Sequence, residues 1–166
     1  MQVDTFLRTV QQHHVQLSLL ADTKASILIT ITSIIVTFAF SRTGDLHYRL
    51  ALLTLTAACT IALLLAILAI LPNFFGNRLR KSKRPESFNI LFFGHFARLS
   101  QHEFLNEMKV ILASDQKLQD AALNDIYTLG VYLYYRKYRY LRFAYAALLI
   151  GFLAASAVQT YVIVTS

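Results

Sequence analysis

Three stretches of the chain, Ala25–Phe40, Leu50–Leu71 and Ala144–Val164, contain no Asp, Glu, Lys or Arg, and the polar residues gather before and between them. The hydrocarbon core of a bilayer is about 30 Å thick and a helix rises about 1.5 Å per residue, so about 20 apolar residues cross it. The second and third stretches meet that length outright. The first meets it once Ala21 and the aliphatic stem of Lys24 extend it at one end. The pattern therefore predicts transmembrane helices over 25–41, 50–71 and 143–164. A cleaved leader accounts poorly for the first, because the polar segment before it is long and lacks a basic start.

Outside the spans the apolar period is again helical. Val3, Leu7, Val10, Leu17 and Ala21 recur at three- and four-residue steps, and no Pro or Gly interrupts Asp4–Ser41. One long helix is expected there, its apolar stripe broken by His14 and suited to packing against another helix of this chain or of a second copy. Arg42-Thr43-Gly44-Asp45 predicts a turn. Leu71-Pro72 ends the second span, since proline lacks a backbone donor and restricts the residue before it. Ser100-Gln101-His102-Glu103 reads as a capping box that starts a helix with Phe104, Leu105, Met108, Ile111 and Leu112 on its apolar face. Ser114-Asp115 offers a second start, after which Leu118, Ala122, Ile126, Leu129 and Leu133 keep helical spacing towards the last span. Gly130 falls inside that run and marks either a bend or a close helix contact. No sustained strand pattern and no repeat is present. The fold class is an all-α integral membrane protein: three transmembrane helices with a helical cytoplasmic region over 73–142 between the second and third. The whole of 1–166 is read as one domain, with 1–24 the cytoplasmic part of the first helix.

Composition and charge add an orientation. Apolar residues make up 56% of the chain and charged residues 15%, against about 45–50% and about 25% in soluble domains. Of the 16 Lys and Arg residues, Arg78, Arg80, Lys81, Lys83, Arg84, Arg98, Lys109, Lys117, Arg136, Lys137, Arg139 and Arg142 fall between the second and third spans, whereas Arg42 and Arg49 flank the short first connection. The excess of cations predicts a cytoplasmic 73–142, a cytoplasmic N-terminus and a C-terminus outside, periplasmic or extracellular. The net charge of +7 then meets anionic lipid headgroups rather than DNA or RNA, with Arg78–Arg84 as a juxtamembrane run.

Candidate chemistry is sparse. Cys59, the one cysteine, lies inside the second span, which excludes an intramolecular disulfide and a multi-cysteine zinc site. His13 and His14 point in different directions around a helix, His47 falls on the other side of the membrane, and His95 and His102 lack an acidic or sulfur ligand at metal spacing. No phosphate loop, dinucleotide fingerprint or nucleophile elbow is present, so no enzyme and no metal is predicted. Asp22 and Lys24, at the cytoplasmic start of a span, need partners there. Arg136, Lys137, Tyr138, Arg139 and Tyr140 are expected at the same depth, so a carboxylate–cation tie between the first and third spans is expected, either static or rearranging in signalling. The alternation of Tyr and Arg/Lys over Tyr132–Arg142 fits two uses: an aromatic and cationic membrane interface, or stacking and phosphate contacts for a nucleotide.

Four blocks carry a resemblance: Ala21-Asp22-Thr23-Lys24-Ala25-Ser26, Asn89–Leu99 (NILFFGHFARL) with Ser100 and Glu103 after it, Asp125–Tyr127, and Lys137–Leu141 (KYRYL). Together they cover nearly the whole chain, which resembles the Pycsar effector transmembrane family. The resemblance implies an effector of bacterial anti-phage defence, paired with a pyrimidine cyclase, activated by cyclic CMP or cyclic UMP, and damaging the inner (cell) membrane so that infection aborts. A homo-oligomer is expected as the form in which the spans disrupt the bilayer. Asp22, Lys24, His95, Tyr127, Lys137, Tyr138, Arg139 and Arg142 are the candidate ligand-binding or gating residues. Thr30, Thr32, Ser33 and Thr37 of the first span, with Thr54, Thr56 and Thr60 of the second, are candidates for helix contacts or a pore lining. The alternative from another class is a non-enzymatic membrane scaffold whose cytoplasmic helices recruit a protein partner.

Overall fold

The computed structural model describes residues 2–42, 44, 46–71 and 88–165. The basic run Arg78–Arg84, and Thr43 and Asp45 of the expected turn, lie outside the described residues. The described structure is all-helical, with α1 (Gln2–Ser41), α2 (Arg49–Ile70), α3 (Phe93–Phe96), α4 (Gln101–Leu112), α5 (Asp115–Tyr132), a π-helical segment (Leu133–Tyr138) and α6 (Arg139–Thr165). Three of these helical runs are long and apolar enough to cross a membrane, within Val3–Ser41, Arg49–Ile70 and Asp115–Thr165. The protein is a membrane protein by that measure. The chain divides into two compact units, one of Met1–Ser18 with Pro72–Tyr134, the other of Leu19–Leu71 with Tyr135–Ser166.

In the second unit the packed positions follow coiled-coil spacing. Ala21, Ala25, Leu28, Thr32 and Ala39 are buried on α1; Cys59, Ala62, Ala66 and Ala69 on α2; Leu141, Ala144, Gly151 and Ala155 on α6. Steps of three and four keep one seam of each helix facing its neighbours. Leu28, Ala66 and Ala144 meet in the centre, with Ile29, Leu65 and Leu148 packed against them. The seams are rich in small residues because lipid chains are as apolar as leucine; close backbone approach replaces the hydrophobic effect as the force between helices. At Gly151 that approach is extreme, since a Cβ there would stand 2.0 Å from the Ala58 Cβ. Large apolar side chains such as Ile34, Leu64, Ile150 and Leu153 point outward, as lipid-facing residues should.

The threonines of the spans do not leave their hydroxyls open. Thr30, Thr32, Thr37, Thr54, Thr56 and Thr60 each donate to the carbonyl four residues earlier, at 2.7–3.0 Å. That is how a hydroxyl is satisfied where water is absent. Thr32 and Thr56 are buried at the seams, which suits helix packing.

In the first unit the capping box forms as its sequence requires. The Glu103 backbone N–H donates to the Ser100 hydroxyl oxygen at 3.3 Å, and the Ser100 backbone N–H donates to the Glu103 carboxylate at 2.8 Å. Such a cap contributes about 1 kcal/mol. Ser114 starts α5 without a side-chain cap bond. Phe104, Met108 and Ile111 turn inward on α4, but Leu105 and Leu112 are exposed, as is Leu118 on α5. Gly130 marks a contact rather than a bend: the residue is helical, and His14 Nε2 lies 3.4 Å from where its Cβ would be. The irregularity comes three residues later, at the π segment. Successive buried positions Leu133, Lys137 and Leu141 are four apart twice in a row, and the wide π turn absorbs the extra residue before the three–four rhythm of α6 resumes.

Candidate functional site

The second unit holds a charged pair at the start of its spans. Lys137 Nζ donates to both carboxylate oxygens of Asp22, at 2.6 and 2.7 Å. Asp22 follows buried Ala21 on α1, and Lys137 lies between buried Leu133 and Leu141, so both face the seam. The Lys137 side chain is 11% exposed and that of Asp22 38%. A group so enclosed must be paired to remain charged. Lys24 is two positions on, rotated about 200° around the helix; its side chain is exposed, and its carbonyl accepts from the Tyr145 hydroxyl at 3.3 Å. Arg139 and Arg142 are exposed and Tyr138 is half-buried. Of the six candidate residues in this unit, the described contacts therefore join Asp22 to Lys137.

The first unit is organised around Asn89, which is 1% exposed. Its side-chain N–H donates to Asp125 Oδ1 at 3.0 Å, its Oδ1 accepts the Leu91 backbone N–H at 2.9 Å, and its own backbone N–H donates to His95 Nδ1 at 3.1 Å. The second Asp125 oxygen accepts from Gln11 Nε2 at 3.0 Å. The buried Asn89 amide thus ties the segment before α3 to α5, and the Asp125 carboxylate it bonds ties α5 in turn to the N-terminal part of α1. A buried amide is tolerated only when so satisfied. His95 stacks on Phe88 and meets Phe92 edge-on, with ring centroids 5.8 and 5.2 Å away. Gly94 makes room, since a Cβ there would stand 2.7 Å from the Phe92 ring. Tyr127 is 68% exposed: two positions after Asp125, it faces the other side of α5.

Because Nδ1 of His95 accepts a backbone N–H, the imidazole is neutral here with its proton on Nε2. Burial first, and the Arg98 cation second, hold His95 below its ordinary value of 6.5. The unfolded chain then takes up a proton before the folded one does as pH falls. Stability from this group is fully present above about 6.5 and declines as pH drops below it towards the lower folded value. Protection against amide exchange over Asn89–Leu99, after correction for the slower intrinsic exchange at lower pH, is expected to fall from pH 7.5 to 5.5, and His95→Gln should flatten that dependence. An unchanged dependence in His95→Gln would contradict this role.

Asn89, Asp125 and Gln11 stand outside the eight candidate residues. The signal available was an amide set between Phe88 and Ile90; its distant partner Asp125 lies 36 residues away, and Gln11 lies 114 from Asp125, separations that no periodicity finds. The same unit has a cavity of about 340 Å³, lined by Phe88, Asn89, Ile90, Glu107, Ile111, Lys117, Asp120, Ala121 and Asn124. Among the described residues no cluster of His, Cys, Asp and Glu is placed to hold a metal ion. His102 Nδ1 is within 3.3 Å of the Asn106 amide, a partner different from that of His95.

Apart from Gln11 and Phe88, the residues of the two bonded clusters fall in the blocks that carry the resemblance, and a family model described as the Pycsar effector protein domain matches residues 5–164. The chain belongs to the Pycsar effector family. No curated protein and no solved structure matches it. Membership makes the protein an anti-phage defence effector, and points to a non-catalytic one. The match runs from the first turns of α1 to the last turn of α6, so both units belong to the Pycsar effector domain. Within it, Asp22 and Lys137 come from the first and last blocks, and Asn89, His95 and Asp125 from the middle two.

Proposed function

We propose that this Pycsar effector is switched by a cyclic pyrimidine nucleotide, cyclic CMP or cyclic UMP, and that the switched state impairs the inner membrane of the infected cell. The match over residues 5–164 carries the reading. Its chemistry is supported in the first unit, which is taken as cytoplasmic. The cavity there falls in the size range of small-ligand sites, about 300–1,000 Å³. Phe88 offers an aromatic surface, Lys117 a cation and Asn124 an amide, which are the groups needed to meet a base, a phosphate and a base edge. Ligand binding changes the protein only through unequal affinity for two states. The Asp22–Lys137 pair is the contact whose rearrangement would let the spans repack, and a homo-oligomer is the form in which three spans per chain could open a path. In support, α5 leaves Leu123, Tyr127 and Val131 exposed at four-residue steps, an apolar stripe suited to a second copy.

The test is membrane potential in cells that express the effector, followed with a dye as a co-expressed pyrimidine cyclase is induced. Depolarisation that needs both proteins and an active cyclase is the expected result. A potential that holds, with the effector inserted and the nucleotide measured in the cytoplasm, would overturn the reading.

A further inference from the structure

At the end of the second unit where α1 gives way to α2, the three spanning helices part around a cavity of about 560 Å³. Its wall changes character along the helices. Leu52, Leu55, Phe152 and Ala155 line one part, and Arg42, Tyr48 and Thr160 another. Arg42 stands just past the last turn of α1, its guanidinium 5.9 Å from the centre of the Phe38 ring, which also lines the space. Gln159 is a further wall residue, and both ends of its carboxamide are buried with no hydrogen-bond partner among the described residues. An unpaired buried amide is rare and needs an explanation.

We propose that this cavity is a binding site for an anionic phospholipid, one acyl chain lying against Leu52, Leu55 and Phe152 and the phosphate on Arg42. The depth is that of a lipid: the polar residues sit where the spans end and the apolar ones towards their middle. Aliphatic packing cannot make such a site selective, because an acyl chain leaves surroundings as apolar as those it enters. Selection must come from the head. A cation between transmembrane helices supplies it, by attraction to phosphate and to the net negative charge of the lipid. The Gln159 carboxamide, turned towards the cavity, meets the ester and glycerol oxygens that a seated lipid brings, which gives this polar group its partner.

The chain contains no tryptophan, so one introduced residue reports alone. Full-length protein carrying Phe152→Trp would be placed in phosphatidylcholine vesicles doped with either phosphatidylglycerol or phosphatidylcholine brominated on its acyl chains. Leu153→Trp, at the same depth but outside the cavity wall, is the control. The expected result is quenching of the Phe152→Trp signal at about five-fold lower mole fraction of the brominated phosphatidylglycerol than of the brominated phosphatidylcholine. Leu153→Trp should show little preference, and Arg42→Gln in the Phe152→Trp background should erase the difference. Equal quenching by both lipids, equal preference at both reporters, or a preference that survives Arg42→Gln would each overturn the proposal. So would loss of the preference on adding millimolar inorganic phosphate, which would make Arg42 a site for a free anion.

Discussion

Lys137→Ala is expected to lower the stability of the inserted protein by about 1–3 kcal/mol and to abolish its toxicity while leaving insertion intact. The change removes the one described partner of the Asp22 carboxylate, whose oxygens lie 2.6 and 2.7 Å from Nζ, and leaves that charge at the start of a span. The cost is set below that of a fully enclosed pair because the Asp22 side chain is 38% exposed and water reaches it. Asp22→Asn should cost a similar amount, since it removes the counter-charge of an ammonium that is 11% exposed. Replacing both residues by leucine should recover most of the loss, as apolar pairs of similar size commonly do for buried ion pairs. Unfolding in detergent gives the energies, and growth after cyclase induction gives the function. A stable leucine pair that remains nucleotide-dependent and toxic would make the tie static. A stable leucine pair without toxicity would make its rearrangement part of the switch. Lys137→Ala together with Arg139→Ala should behave as Lys137→Ala does, because Arg139 is exposed and is not bonded to Asp22.

Gly151→Ala should do comparable damage by sterics alone. The added Cβ falls 2.0 Å from that of Ala58, whose position is fixed by its own helix, so α2 and α6 must separate. Overpacking of this kind costs typically about 1–3 kcal/mol, and here it also loosens a seam held by close approach rather than by water exclusion. Exchanging the sizes provides the check. Ala58→Gly with Gly151→Ala moves one methyl group across the interface and leaves total volume and total helix propensity nearly unchanged. The double variant should regain most of the stability lost in Gly151→Ala. If Gly151→Ala alone unfolds at the wild-type temperature, the close contact between α2 and α6 is wrong.

Much of this architecture is legible in the chain because its causes are local. Charge-free runs give the spans, Ser100 and Glu103 give the start of α4, and an unbroken period gives the 40-residue α1. The tie from Asp22 to a cation before the last span is also legible, since an isolated carboxylate at that depth must find one. Which cation it finds is not. Arg136, Lys137 and Arg139 are adjacent choices, and the π segment over Leu133–Tyr138 resets the phase of the helix that carries them. A sequence period of 3.6 assumes that no such turn intervenes. The same limit hides Asn89 and Gln11, whose partner Asp125 is 36 and 114 residues away, and hides the pairing of Gly151 with Ala58 within two helices that are both rich in small residues. Tyr127 lies two positions after the residue that bonds and on the other face of the helix, 68% exposed.

Reconstitution separates nucleotide-gated membrane damage from an inert membrane protein. Purified full-length protein in vesicles of phosphatidylethanolamine and phosphatidylglycerol, loaded with a self-quenching dye, would be exposed to cyclic CMP, cyclic UMP, or cyclic AMP as a control. Dye release or loss of an imposed potassium diffusion potential is expected on adding a cyclic pyrimidine nucleotide, at concentrations where cyclic AMP does nothing, with no response in the Lys137→Ala protein. Vesicles that stay sealed and polarised at saturating cyclic CMP and cyclic UMP, with the protein shown to be inserted, would contradict it.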